Sequence, residues 1–169
     1  MRILLWSAFA AFLIDQVSKY VVIHLWELWR VREIDVLPPY LNFRYGENRG
    51  INFGLFGDGS DTSRYILIGL ALVISIAVLV WMRRGTFGAK EYISGGLLIG
   101  GALANVVDRL VYGYVLDFLN NSLPGWNNPF VYNIADIFIF AGAIGLILFS
   151  EDPKKPAKSK AKRPAKKPK

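Results

Sequence analysis

Cysteine is absent from this 169-residue chain, and histidine occurs once, at His24. Without cysteine there is no disulfide bond, no thiol nucleophile and no cysteine that could carry a lipid. A single histidine excludes a metalloprotease of the His-Glu-x-x-His type. Serine chemistry with that histidine would need an elbow serine, which the sequence does not offer. A dyad of Ser18 and Lys19 is poorly placed, because adjacent helix residues do not face each other. We therefore expect no metal and no cofactor, and carboxylates remain as the candidate catalytic groups.

Positive charge is concentrated in one segment of the chain. The formal net charge is +7, and residues 151–169 account for it with nine cations against two acids. The other 150 residues hold eleven cations and eleven acids. Such Lys- and Pro-rich composition predicts a disordered, solvated tail, with attraction to anionic lipid as an additional role. No aromatic residue alternates with the lysines, so nucleic acid is not an expected partner.

Four apolar stretches approach the roughly 20 residues that a helix needs to cross a bilayer. They cover residues 3–23, 65–82, 93–111 and 134–149. A cleaved signal peptide is the alternative for the first stretch, but its apolar run continues past Ala10 and no polar cleavage region follows. We therefore predict a membrane all-α domain with four transmembrane helices over residues 1–150, followed by a basic cytoplasmic tail over 151–169.

Polar residues interrupt the first and third of these stretches, where the bilayer makes them costly. Asp15 and Lys19 lie four residues apart, so they share a helix face and can form an ion pair. Asn105, Asp108 and Arg109 share a face by the same rule. Two explanations fit these residues. They could form a functional site, or they could be pairs that neutralise each other, such as Asp108 with Arg109.

The first long loop combines a strand with a glycine-rich segment. Residues 41–45 alternate between apolar and polar side chains, which predicts a short strand. Residues 47–57 contain three glycines and two aromatic residues. This composition is typical of an ordinary interfacial loop, but it also fits an amphipathic flap over a site, with Asn48 and Gly50 in it.

Asp117 and Asp136 flank the loop before the last apolar stretch. Residues 114–118 alternate like a strand and include Asp117. Asn133 stands where a helix N-cap is expected, three residues before Asp136. Stabilisation by the helix dipole is the purely structural explanation for Asp136.

The distribution of positive charge predicts the topology. Arg2, the short loop with Arg83, Arg84 and Lys90, and the basic tail should all be cytoplasmic. The first and third helices then run outward and the fourth runs inward. Their polar residues and Asp117 should consequently meet in the outer leaflet, which predicts a buried polar site near the outer face.

Two close aspartates cannot both ionise easily, so they share a proton. Asp117 and Asp136 suit this chemistry, in which one carboxylate activates water and the other protonates the carbonyl oxygen. A small proton-coupled transporter is the alternative, but it would place its charges near the midplane between inverted repeats, and the sequence has no internal repeat. A non-enzymatic membrane scaffold would explain the Gly96 and Gly100 packing pair but not the carboxylates.

Five segments occur in an order that one known family shares. They are residues 15–19 (Asp-Gln-Val-Ser-Lys), 48–50 (Asn-Arg-Gly) with Phe53, 100–109 (Gly-Gly-Ala-Leu-Ala-Asn-Val-Val-Asp-Arg), 115–118 (Val-Leu-Asp-Phe) and 132–136 (Tyr-Asn-Ile-Ala-Asp). In these segments the chain resembles the lipoprotein signal peptidases, also called signal peptidase II. The segments span almost the whole chain except the tail.

The resemblance implies an aspartic endopeptidase of the bacterial inner membrane, with four transmembrane helices and a small β-element and flap on the outer side. It implies cleavage of diacylglyceryl-modified prolipoproteins just before the lipidated cysteine, by a chain that we expect to be a monomer among membrane lipids. By motif position, Asp117 and Asp136 would be the catalytic pair. The residues expected to bind substrate or support the site are Asp15, Lys19, Asn48, Gly50, Asn105, Asp108, Arg109 and Asn133.

Overall fold

The computed structural model of the chain describes residues 1–50 and 61–150. The helices are α1 (Arg2–Lys19), which continues into a π-helical segment (Tyr20–Leu25), α2 (Leu28–Val31), α3 (Asp61–Arg84), α4 (Ala89–Val111) and α5 (Ile134–Phe149). The strands are β1 (Glu33–Leu37), β2 (Leu41–Asn48) and β3 (Val115–Asn120). Residues 51–57 of the predicted flap and the predicted tail lie outside the described residues.

Three helices within the described ranges are long and apolar enough to cross a membrane, Arg2–Leu25, Thr62–Arg84 and Ala89–Val111. The apolar helix α5 has the bounds predicted for the fourth stretch but contains 16 residues. At about 1.5 Å per residue it measures roughly 24 Å, against about 30 Å for the hydrocarbon core. The fold is therefore mostly helical with three candidate membrane helices, and a fourth span stays a prediction.

Large apolar side chains point away from the protein along the helices. Examples with more than half of their surface exposed are Trp6, Phe9, Val73, Ile76 and Ile147. Soluble proteins rarely expose contiguous apolar surface on this scale. The outward faces of the helices are therefore suited to lipid.

Helix α4 is the centre of the helical part, because α1, α3 and α5 all contact it. Glycines make the contact with α1 close: a Cβ atom at Gly96 would lie 2.6 Å from the carbonyl oxygen of Leu4, and one at Gly100 would lie 2.9 Å from the Cα atom of Ala8. The predicted packing role of these glycines is confirmed. The close contact aligns the polar ends of α1 and α4, which carry the candidate site.

The three strands form one antiparallel sheet in the order β1-β2-β3. The predicted strands over 41–45 and 114–118 correspond to β2 and β3, whereas β1 was not predicted. Apolar residues of β3, Leu116 and Phe118, are buried against Ile23 of the π-helical segment and Leu28 of α2. This contact fixes β3 against the end of α1, and Asp117 lies between the two apolar anchors.

Candidate active site

Asp117 lies in the middle of β3 and is almost completely buried. In the register of the sheet it stands opposite Gly46 of β2. A side chain at Gly46 would collide with Val131, so only glycine leaves this position open beside the carboxylate. The Oδ2 atom of Asp117 accepts a hydrogen bond from Asn48 Nδ2 at 3.1 Å, and its Oδ1 atom accepts one from Asn133 Nδ2 at 2.5 Å.

Asp136 lies in the first turn of α5, where Asn133 caps the helix. The Oδ1 atom of Asn133 accepts a hydrogen bond from the backbone N–H of Asp136 at 2.9 Å, and Asp136 Oδ2 accepts one from the backbone N–H of Asn133 at 3.3 Å. This reciprocal pair is a capping box, with aspartate in the position that glutamate or glutamine usually occupies. Asn105 of α4 also donates to Asp136 Oδ1, at 3.0 Å.

Asn133 connects the two aspartates. Its side-chain amide donates to Asp117 while its backbone N–H donates to Asp136. Because the side chain and the backbone of one residue contact both carboxylates, the two acids belong to one site. The prediction that Asn133 caps α5 is confirmed, and the structure adds this second contact.

A buried cluster of charges lies beside the carboxylates. Lys19 Nζ forms ion pairs with Asp15 at 2.8 Å and with Asp108 at 2.7 Å, and all three side chains are buried. Lys19 also donates to Asn105 Oδ1 at 3.4 Å. The predicted pairing of Asp15 with Lys19 is confirmed. The alternative in which Asp108 and Arg109 form a self-neutralising pair does not hold for Asp108, because Asp108 forms its ion pair with Lys19 and interacts with Arg109 only at longer range.

Arg109 and Gly50 complete the predicted set. The Arg109 guanidinium donates to the carbonyl oxygen of Asn105 at 3.3 Å and interacts electrostatically with Asp136, Asp117 and Asp108. The backbone N–H of Gly50 donates to Asn48 Oδ1 at 3.1 Å. Gly50 has a positive φ of 93°, a conformation that favours glycine. Gly50 therefore orients the Asn48 amide so that its nitrogen faces Asp117.

Sequence reasoning missed two residues of this site, Gln16 and Gly46. Gln16 Nε2 donates to Asp108 Oδ1 at 2.9 Å. Its spacing of three residues from Lys19 places both on one helix face, which is the signal that could have identified it. Nothing in the sequence alone distinguishes Gly46, because its role depends on the register of β2 with β3.

Burial, and next to it the negative charge of Asp136, raise the pKa of the Asp117 carboxyl to about 7. Hydrogen bonds from Asn133 and Asn48 act against this shift, because they stabilise the ionised form. Asp117 can therefore hold a proton near neutral pH, where an ordinary aspartate is ionised.

Two cavities approach the carboxylates from different sides. A cleft of about 430 Å³ is lined by Asp117, by residues 46–50 at the end of β2 and by residues 129–131. A second, mainly apolar cavity of about 400 Å³ lies among α3, α4 and α5, and Asn105 and Arg109 belong to its wall. The first cavity reaches Asp117 itself, whereas the second reaches Asn105, which donates to Asp136.

The sequence matches a family model described as Signal peptidase (SPase) II over residues 7–150. A protein of Alteromonas mediterranea named lipoprotein signal peptidase is 39% identical over 145 residues, covering 85% of this chain and 78% of its own length. Its namesake from Methylobacterium sp. strain 4-46 is 37% identical and covers 84% of both chains. That of Histophilus somni is 34% identical and covers 91% of this chain and 93% of its own.

Solved structures of bacterial membrane enzymes have the same fold. One determined at 2.3 Å by the in meso method has a TM-score of 0.68 at 26% identity, covering 86% of this chain and 85% of the other. Another, at 1.9 Å, has a TM-score of 0.72 at 25% identity, covering 86% and 90%. With the family model matching nearly all of the described residues, the chain belongs to the signal peptidase II family.

Proposed function

We propose that this chain cleaves lipoprotein precursors as an aspartic endopeptidase, with Asp117 and Asp136 as its catalytic pair. Membership of the signal peptidase II family makes it a peptidase that removes signal peptides from prolipoproteins. The observation that carries the aspartic mechanism is the double contact of Asn133, which joins the buried Asp117 and the half-buried Asp136 in one site.

The two aspartates have different environments, which suggests different roles. Asp117 holds the shared proton, because its pKa is raised to about 7. Asp136 takes the role of the base, and it lies in the first turn of α5, where the helix dipole favours a carboxylate. The different environments of a carboxylate pair are the usual basis for assigning the acid and the base.

In the proposed reaction, Asp136 removes a proton from water, the water oxygen attacks the scissile carbonyl carbon, and Asp117 donates its proton to the carbonyl oxygen. The resulting gem-diol then collapses. The carbon–nitrogen bond breaks as Asp136 returns its proton to the leaving nitrogen, and one hydroxyl proton passes back to Asp117. The step is a hydrolysis that consumes one water molecule and restores the starting protonation of both acids.

The two cavities are suited to different parts of the substrate. In this proposal the cleft beside residues 46–50 takes the extended peptide, and the apolar cavity among α3, α4 and α5 takes hydrocarbon from a diacylglyceryl-modified cysteine. Arg109 and Asn105, in the wall of the apolar cavity, suit the polar groups between lipid and peptide. Cleavage would then fall just before the lipidated cysteine.

We also propose four membrane spans, both termini in the cytoplasm, and an active site near the outer face of the bacterial inner membrane. Helix α5 would be the fourth span, although it is short. Its capping residue Asn133 is fully buried beneath β3, so the helix need not reach the outer membrane surface itself. A monomer surrounded by lipid fits the exposed apolar faces of the helices.

The test is cleavage of a diacylglyceryl-modified precursor by purified chain in detergent, followed as release of the signal peptide. We expect Asp117→Asn and Asp136→Asn to be inactive but folded. The control is Asp35→Asn, which changes an exposed carboxylate of β1 and should leave the rate unchanged. Cleavage by either site variant at the unmodified rate would refute the aspartic mechanism.

A further inference from the structure

The buried carboxylates of Asp15 and Asp108 each accept a hydrogen bond from a backbone N–H next to one of the proposed catalytic aspartates. Asp108 Oδ2 accepts one from the N–H of Leu116 at 3.1 Å, and Asp15 Oδ1 accepts one from the N–H of Ala135 at 2.8 Å. Leu116 immediately precedes Asp117, and Ala135 immediately precedes Asp136. The two buried acids therefore fix the backbone directly before each proposed catalytic residue.

These two acids are connected to each other twice. Lys19 Nζ bridges them through the ion pairs with both Oδ2 atoms. Gln16 Nε2 bridges them a second time, donating to Asp108 Oδ1 at 2.9 Å and to Asp15 Oδ2 at 3.3 Å, and it also reaches the carbonyl oxygen of Ala104 at 3.4 Å. With a single bridge each carboxylate could rotate about that one contact, and the second bridge opposes this rotation.

We propose that Gln16 is a positioning residue that sets the separation of Asp117 and Asp136. The proposal rests on the proposed catalytic role of those two acids. Lys19 carries one positive charge against the two negative charges of Asp15 and Asp108. A neutral amide at position 16 supplies the additional donor without adding charge, and an uncharged donor to a buried carboxylate is strongly stabilising.

The position of Gln16 predicts which kinetic constant it controls. It lies behind the carboxylates and lines neither of the two described cavities. Loss of its bridge should therefore leave substrate binding intact while misaligning the acids. Small misplacements of catalytic groups cost up to about a hundredfold in rate.

A merely structural role, in which Gln16 only attaches α1 to α4, makes a different prediction. Ser7 provides the comparison, because its hydroxyl contacts the carbonyl oxygens of Tyr92 and Ile93 at 3.4 and 3.3 Å and so links the same two helices. Ser7 is nine residues from Gln16, about 13 Å along α1. Ser7→Ala thus removes an α1–α4 contact without touching the acids.

The experiment compares Gln16→Ala with Ser7→Ala in the full chain, in detergent, with a diacylglyceryl-modified precursor. We expect Gln16→Ala to lower kcat by about 10- to 100-fold with KM within about twofold. Ser7→Ala should keep both constants within about twofold. Equal effects of the two substitutions, or a change confined to KM, would overturn the positioning role.

A second variant keeps the test open if Gln16→Ala fails to fold. Gln16→Glu keeps the size of the side chain, but when ionised it repels Asp15 and Asp108, and only its protonated form can donate a hydrogen bond. The charged groups around it are Asp15 and Lys19 on α1 and Asp108 and Arg109 on α4, with the dyad beyond them. The ratio of its kcat to that of the unmodified chain should rise as the pH falls, and a ratio independent of pH would count against the proposal.

Failure of this inference is distinguishable from failure of the proposed function. If Asp117→Asn is inactive while Gln16→Ala retains the full kcat, the catalytic pair stands and the positioning role falls. If Asp117→Asn still cleaves the precursor, the catalytic assignment falls, and the positioning role falls with it.

Discussion

The contact between α1 and α4 leads to a quantitative prediction for Gly100→Ala. The added Cβ atom would lie 2.9 Å from both the Cα and the carbonyl carbon of Ala8. These are backbone atoms, which cannot rotate away as a side chain can. The two helices must therefore separate locally. These are the helices that carry Lys19 (α1) and Asp108 (α4).

The expected magnitude combines two opposing effects. Overpacking a tight interior costs about 1–3 kcal/mol. Alanine in place of glycine inside a helix stabilises the folded state by about 1 kcal/mol. Because the clash is with backbone, we take the upper value of the cost and expect a net loss of about 2 kcal/mol at Gly100.

Gly69 in α3 is the matched control, because a Cβ atom there would meet no atom within 4 Å from the described residues outside its own stretch of helix. Gly69→Ala should therefore gain up to about 1 kcal/mol from helix propensity alone. The two variants should differ by about 3 kcal/mol, or about a hundredfold in the unfolding equilibrium constant.

The assay is denaturant unfolding of both variants in detergent micelles, with the cleavage rate measured in parallel. Gly100→Ala should also lose at least about tenfold in kcat, because separation of α1 from α4 moves Lys19 away from Asp108. If both variants have the same stability and the same activity, the close approach at Gly100 does not determine the geometry of the site.

Four further outcomes are expected. The pKa of Asp117 is raised from 3.8 to about 7, so between these pH values the folded chain holds a proton that the unfolded chain has released. The free energy of unfolding should therefore fall as the pH rises from about 4 to 7. The free energy of unfolding of Asp117→Asn should depend less on pH over the same range. Asn133→Ala should lose about 1 kcal/mol of unfolding free energy, measured by denaturant unfolding, along with its cleavage activity, because it removes both the cap of α5 and the donor to Asp117. Gly46→Val should raise KM, measured with the lipidated precursor, because its side chain enters the cleft beside Val131; an unchanged KM would contradict this. Removal of residues 151–169 should leave the cleavage rate in detergent unchanged, and a large loss would give the tail a catalytic role.

Local rules predicted the parts of the site that lie on one helix. The i, i+4 spacing of Asp15 and Lys19 indicated their ion pair, and the N-cap position of Asn133 indicated its contact with Asp136. The ends of α5 could be read from the apolar run because Asn133 begins the helix and polar residues follow it. These features depend on residues that are close in sequence.

Contacts between distant segments could not be read in the same way. The partner of Asp108 is Lys19 of α1 rather than the adjacent Arg109, because the rotation of α4 against α1 is set by the glycines between them. The role of Gly46 depends on the register of two strands that are far apart in sequence. Strand β1 was missed although Glu33–Val36 alternates between acidic and apolar residues, because the strand is short and mostly exposed and forms by pairing with β2.

The capping box at Asn133 has a practical consequence for Asp136→Asn. The cap requires only an oxygen at this position to accept the backbone N–H of Asn133, and the carboxamide of asparagine still provides one. The substitution therefore removes the proposed base while retaining the helix start. Such a chain would be a substrate trap: it should hold an uncut lipidated precursor long enough for the complex to be isolated and its structure determined.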